Sequence, residues 1–76
     1  MSRYSFTMQV SGLPADTYED RLYQAGCDDA LITVVDDKMF LDFDRDAPSL
    51  NTALTSARDN VERAGGRVDR IVVEEG

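Results

Sequence analysis

The chain has 76 residues, of which fifteen are acidic and eight basic, so its formal net charge at pH 7 is −7. A surface field of that sign repels nucleic acid and anionic lipid and attracts basic partners. The sequence contains no histidine, the only side chain whose unperturbed pKa lies near neutrality, so histidine-based acid–base catalysis is excluded.

The first predicted strand covers residues 3–10, where apolar and polar side chains alternate. A period of two indicates a strand with one buried face. The residues on that face are Tyr4, Phe6, Met8 and Val10. The sequence SGLP at 11–14 ends the strand, because glycine and proline interrupt regular structure.

The first helix is predicted over residues 17–25. Asp16 and Glu19 have the spacing of a capping box, in which each side chain accepts a hydrogen bond from a free amide of the first turn. Gly26 follows the last apolar position and suits a left-handed C-terminal cap.

A hairpin is predicted from residues 30–35 and 38–44, joined by a turn at Asp36 and Asp37. The first arm is rich in β-branched residues, and the second arm alternates. Its two faces carry Met39, Leu41 and Phe43 on one side and Phe40, Asp42 and Asp44 on the other.

The second helix is predicted over residues 48–64, with Pro48 in its first turn, where a missing amide hydrogen has no cost. An apolar stripe of helical period runs along it. Two glycines end the helix, a last strand is predicted over 67–73, and residues 74–76 are predicted to form a solvated tail.

The order is strand, helix, strand, strand, helix, strand, and the two halves are alike. The sequence LYQAG at 22–26 recurs as VERAG at 61–65. Two βαβ units predict one ferredoxin-like α+β domain over residues 1–76, a four-stranded antiparallel sheet with both helices on one face.

The face of this sheet without helices is predicted to be polar and acidic at one end. Its central residues are Arg3, Ser5, Thr7, Gln9, Phe40, Asp42 and Asp44. RNA-binding domains with this topology stack bases on aromatic residues of the central strands. Here only Phe40 is suitably placed, and carboxylates rather than cations accompany it, so we expect no direct binding of nucleic acid.

No pattern in the chain indicates a catalytic, cofactor or metal site. The D-x-D-x-D run at 42–46 fails the EF-hand pattern, because alanine occupies positions six and twelve of that pattern. The other paired carboxylates fall at helix starts and turns, where aspartate is common. We therefore expect no enzymatic activity, no cofactor and no metal ion.

Cys27 is the only cysteine, so the chain cannot form an internal disulfide. It follows a helix C-terminus and precedes two aspartates, both of which raise a thiol pKa, so a packing role is predicted. A small secreted domain usually needs disulfides, and no signal peptide or membrane span is apparent. These features predict a cytoplasmic location without membrane contact.

Four stretches resemble a small bacterial domain of an uncharacterised type: FTMQVSGLP at 6–14, DRLYQAGCDDAL at 20–31, LDFDRDAPSL at 41–50 and NVERAG at 60–65. In that type the domain often precedes a helix-turn-helix segment, and this chain is expected to be a stand-alone form. The resemblance assigns no functional residue. By class rather than motif, the chain is similar to small acidic anti-CRISPR proteins.

We therefore expect a non-enzymatic inhibitor that mimics nucleic acid and occupies a basic nucleic-acid-binding surface of a partner, such as a CRISPR effector. Two alternatives stay open: a regulatory or antitoxin-like domain that homodimerises through its sheet, and an acidic surface that only maintains solubility. A monomer or weak homodimer is expected. The candidate partner-binding residues are Glu19, Asp20, Asp28, Asp29, Asp36, Asp37, Phe40, Asp42, Asp44 and Asp46.

Overall fold

The computed structural model describes residues 1–73, and the predicted tail at 74–76 lies outside the described residues. The elements in chain order are β1 (Ser2–Ser11), α1 (Tyr18–Gln24), β2 (Ala30–Val35), β3 (Lys38–Ala47), α2 (Leu50–Arg63) and β4 (Arg67–Val73). The strands form one antiparallel sheet in the order β2-β3-β1-β4. This is a ferredoxin-like α+β fold, as the element order predicts.

The hydrophobic core lies between the helices and one face of the sheet. Phe6 of β1 and Phe43 of β3 are opposite each other in the register, and their rings stack with centroids 5.2 Å apart. Ala53 and Ala57 of α2 are fully buried. Because their side chains are small, α2 can approach the sheet closely enough to exclude water from the aromatic pair.

The internal repeat corresponds to two equivalent helix ends. Leu22 and Val61 are both buried in the core, and three residues later Ala25 and Ala64 are the C-caps of α1 and α2. The next residue in each copy, Gly26 or Gly65, has a φ near +100°. Only glycine adopts this left-handed conformation without strain, so the repeat is the signal that ends both helices.

Both helix starts differ from the prediction. The N-cap of α1 is Thr17, one residue beyond Asp16, and no side chain caps the first turn, so the predicted capping box is absent. The Thr17 hydroxyl accepts a hydrogen bond from the Arg21 Nε at 3.3 Å. In α2 the N-cap is Ser49, whose hydroxyl accepts from the Thr52 amide, so Pro48 precedes the helix instead of lying in its first turn.

Strand β3 continues to Ala47, three residues further than predicted. Ladder pairing with the start of β1 explains the extension, because the register pairs Ser2 with Ala47. The predicted turn at Asp36 and Asp37 is confirmed, and both residues have positive φ, as in a type I′ hairpin. Within residues 1–73 neither helix has the length and apolar character needed to cross a bilayer.

Candidate partner-binding surface

A row of carboxylates lies on the helix-free face, which we call the open face, along the second half of β3. The antiparallel register places each of them opposite a polar residue of β1. The Ser5 hydroxyl donates to Asp44 at 2.8 Å, the Thr7 hydroxyl donates to Asp42, and the Arg3 Nε donates to Asp46 at 3.3 Å. These bonds hold three carboxylates in fixed positions, at steps of about 7 Å along the strand.

The loop before β2 adds one more carboxylate to this end of the sheet. The Asp44 amide donates to the Asp29 carbonyl, which fixes this loop against β3. A groove of about 300 Å³ is lined here by Asp29, Asp42 and Asp44 together with Leu31. We call this end the acidic corner and define it as Asp29, Asp42, Asp44 and Asp46. Asp28 lies outside it, because it lines a groove on the helix side together with Glu19 of α1.

Two arginines partly balance the charge of the acidic corner. Arg3 pairs with Asp46 on the exposed face. Arg45 projects to the helix side and binds Asp29 through Nε at 2.7 Å and Nη2 at 2.9 Å. The corner thus has four carboxylates against two guanidinium groups, and its net charge stays negative.

Arg45 is a residue that the sequence analysis did not single out. Its side chain is only 13% exposed. It lies at 5.2 Å from the Phe43 ring centroid and also donates to Ser56, Asn60 and the Gly26 carbonyl. The hydrogen bond to Asp29 is the largest of the causes that raise the pKa of Arg45. Its position on the apolar side of the β3 alternation could have revealed it, because a cation there needs a buried partner.

Other predicted residues lie away from the acidic corner. Asp36 and Asp37 form the hairpin turn at the opposite end of β3, roughly 20 Å from Asp44 at 3.3 Å per residue. Glu19 and Asp20 lie in the first turn of α1, in the helical layer. The candidate acidic residues therefore surround several sides of the molecule, and four of them converge at the acidic corner.

Phe40 lies on the open face, as predicted, but in cationic surroundings. It is half-buried in a groove of about 400 Å³ whose lining includes Lys38 and Arg70. The register explains this, because Phe40 is opposite Gln9 and Gln9 is opposite Arg70. The aromatic residue and the acidic corner are thus adjacent but different parts of one face.

Cys27 is buried in the core, 3% exposed. Burial is the main cause that raises its pKa to about 11 from an ordinary value of 9.0, and Asp28 and Asp29 add to the effect. Such a thiol is protonated near neutrality and lacks the thiolate that nucleophilic chemistry requires. Across residues 1–73, no three acidic or cysteine side chains are grouped in a way that could hold a metal ion.

No protein-family model matches this chain, and no curated protein shows significant similarity to its sequence.

Proposed function

We propose that the protein is a non-enzymatic, cytoplasmic inhibitor that binds a basic nucleic-acid-handling protein and occupies the surface meant for nucleic acid. It is a nucleic-acid mimic of the kind found among small acidic anti-CRISPR proteins. The observation that carries the proposal is the acidic corner, where four carboxylates converge at one end of the sheet.

The carboxylates are available to a partner because few of them are neutralised within the molecule. Among residues 1–73, ion pairs involve only three aspartates, Asp29, Asp46 and Asp69. Asp46 remains more than half exposed in its pair. A surface with many uncompensated carboxylates offers a cationic groove the same sign of charge that a polyanion offers.

The corner is also held in place before any partner binds. Ser5 and Thr7 each donate to one oxygen of an exposed carboxylate, Asp44 and Asp42 respectively, so the second oxygen of each remains available to a partner. Side chains that are already ordered lose less entropy on association. The hydroxyl contacts thus favour binding without consuming the negative charge.

The acidic residues outside the corner contribute at longer range. Asp36, Asp37, Glu19, Asp20 and Asp28 are exposed and lie outside the corner, so they add to the field that attracts a basic body. A field of one sign accelerates association and depends strongly on ionic strength. It also disfavours direct contact with nucleic acid, despite Lys38 and Arg70 near Phe40.

A displacement assay tests the proposal. Purified CRISPR effector complexes, loaded with guide RNA, are incubated with fluorescent double-stranded DNA and increasing amounts of the protein at 50 mM and 1 M NaCl. We expect the protein to displace the DNA at low salt and to bind at least tenfold more weakly at high salt, because counterions screen charged contacts. Binding that is undiminished in 1 M NaCl would contradict mimicry.

Two triple variants with the same change of net charge locate the contact. Asp42→Asn, Asp44→Asn and Asp46→Asn together remove three charges from the acidic corner and keep the side-chain shape. Asp16→Asn, Asp59→Asn and Glu62→Gln together remove three charges elsewhere on the exposed surface. We expect only the corner variant to lose tenfold or more in affinity. Equal losses in both would show that net charge alone matters.

A further inference from the structure

Strand β2 is an edge of the sheet without protection against pairing. Its sequence, ALITVV, contains no charge, no proline and no glycine. Leu31, Val34 and Val35 are exposed at 69%, 53% and 51%. An edge strand presents unpaired amide and carbonyl groups, and natural proteins usually guard such edges with charged residues, proline or bulges.

The other edge of the same sheet is guarded in the usual way. Strand β4 carries Arg67, Asp69 and Arg70 within seven residues. The register between β1 and β4 also shifts at Gln9 and Val10, which marks a bulge or irregularity next to this edge. The contrast between the two edges identifies β2 as the one suited to receive another strand.

We propose that β2 pairs antiparallel with β2 of a second copy of this chain, about a two-fold axis through Thr33. An axis perpendicular to the sheet keeps the helix-covered face on one side in both copies. Residues opposite each other must then share a face, which limits the possible registers. When the axis passes through Thr33, Leu31 of each copy lies opposite Val35 of the other copy. Ile32 of each copy then lies opposite Val34 of the other.

This register pairs apolar residues on both faces of the new sheet. Leu31 and Val35 meet on the open face, Ile32 and Val34 meet beside the core, and the two Thr33 side chains meet at the axis, a favourable cross-strand pair. A centre at Ile32 instead places Val35 opposite Asp29. A centre at Val34 places Leu31 opposite Asp37, so both alternatives bring a large aliphatic side chain to a carboxylate, whereas the register centred on Thr33 brings only the small Ala30 opposite Asp36.

Charges near the strand decide how the pair responds to salt. On the open face, β3 places Asp42 next to Leu31 and Lys38 next to Val35. Each Leu31–Val35 pair across the dimer is therefore flanked by an aspartate of one copy and a lysine of the other. At the strand ends, however, Asp28 and Asp29 of one copy approach Asp36 and Asp37 of the other. Salt screens this repulsion and that between two bodies of −7.

The size of the contact predicts a weak dimer. A six-residue strand is roughly 20 Å long at 3.3 Å per residue, and its pairing buries less than the roughly 800 Å² per partner of a standard interface. We expect a dissociation constant in the micromolar range that falls as NaCl rises. Asp42, Asp44 and Asp46 lie on β3, one strand in from the new interface, and stay uncovered. The dimer therefore goes beyond the proposed function and does not depend on it.

Sedimentation velocity at concentrations from about 5 µM to 1 mM, in 50 mM and 500 mM NaCl, measures the dimer directly. We expect Val34→Lys to raise the dissociation constant at least tenfold, because it places a cation on the unprotected edge. Val72→Lys is the matched control, since Val72 has the same 53% exposure but lies on β4. A wild-type monomer at 1 mM in 500 mM NaCl, or equal effects of the two variants, would refute the proposal.

A cysteine at the axis tests the register. Cross-strand neighbours have Cβ atoms about 4.5–5.5 Å apart, close to the distance that a disulfide needs. Under mild oxidation with diamide, we expect Thr33→Cys to form a covalent dimer and Val72→Cys to form little, with buried Cys27 inert in both. Equal cross-linking of the two variants would overturn the register. Neither measurement includes a basic partner. The displacement assay can therefore fail while the dimer is observed, and the dimer can be absent while the displacement assay succeeds.

Discussion

Arg45 joins the parts of the molecule that build the acidic corner. Its guanidinium group binds both oxygens of Asp29, a side chain on each of two turns of α2, and the carbonyl of Gly26. A planar guanidinium with five donors can satisfy all of these acceptors at once, which lysine cannot do. The loop before β2, strand β3 and helix α2 are thereby held together at one point.

We predict that Arg45→Met destabilises the protein by about 2–4 kcal/mol, because Asp29 and the Gly26 carbonyl lose their donor in a partly buried place. Arg3→Met is the control. Arg3 also pairs with an aspartate, but its side chain is 67% exposed, so the change should cost less than about 1 kcal/mol. Urea unfolding measures both, and equal losses would show that Arg45 is only a surface pair.

The buried thiol of Cys27 predicts a loss of stability in alkali. Its pKa is about 11 in the folded protein and near 9.0 when unfolded, so below pH 9 both states keep the proton. Between pH 9 and 11 the unfolded chain releases this proton while the folded chain retains it. The free energy of unfolding should therefore fall across this window by on the order of 2 kcal/mol.

Cys27→Ala removes this titration and provides the comparison. Urea unfolding at pH 8, 9, 10 and 11 should give a shallower decline for the variant than for the wild-type protein, because other groups titrate equally in both. Parallel declines would mean that Cys27 ionises as readily in the folded state as in the unfolded state.

At the scale of elements, the two helices end alike and begin differently. The repeated sequence ends both with a left-handed glycine. At its start, α2 has a serine cap with a side-chain bond to the Thr52 amide at 3.2 Å, whereas α1 has only seven residues and no side-chain cap. The short first helix therefore owes its stability mainly to packing of Leu22 in the core.

The difference predicts unequal effects of removing the two N-cap hydroxyls. Ser49→Ala should cost about 1 kcal/mol of unfolding free energy, because the Thr52 amide loses its acceptor. Thr17→Ala should cost less than about 0.5 kcal/mol, because that hydroxyl binds only the exposed Arg21 side chain. Thermal and urea unfolding measure both variants. A larger loss of stability for Thr17→Ala than for Ser49→Ala would contradict this assignment.

Strand patterns were informative to different degrees. Clean alternation located β1 and the start of β3 within a residue, because each has one face in the core and one in solvent. The end of β3 could not be located in this way. Residues Arg45 to Ala47 interrupt the expected alternation with a cation on the core side, and only the register with β1 shows that the strand continues.

At the scale of the whole molecule, charge is the dominant property. The molecule measures 35 × 24 × 16 Å. Because the screening length at physiological salt is about 8 Å, its charges lie within a few screening lengths of one another. Binding to a cationic partner should weaken as salt rises, while pairing of two copies through β2 should strengthen. These opposite salt dependences distinguish the two associations in one buffer series.

The sequence by itself determined the order of elements, the two apolar faces, the turn at Asp36 and the sign of the surface charge. These properties are local or additive, since periodicity, turn chemistry and net charge need no knowledge of which segments meet. Only the tertiary structure decided that Asp29 joins Asp42, Asp44 and Asp46 while Asp28, Asp36 and Asp37 lie apart. It also placed Arg45 among its acceptors and left β2 at an edge, because strand order and register depend on how distant segments pack together.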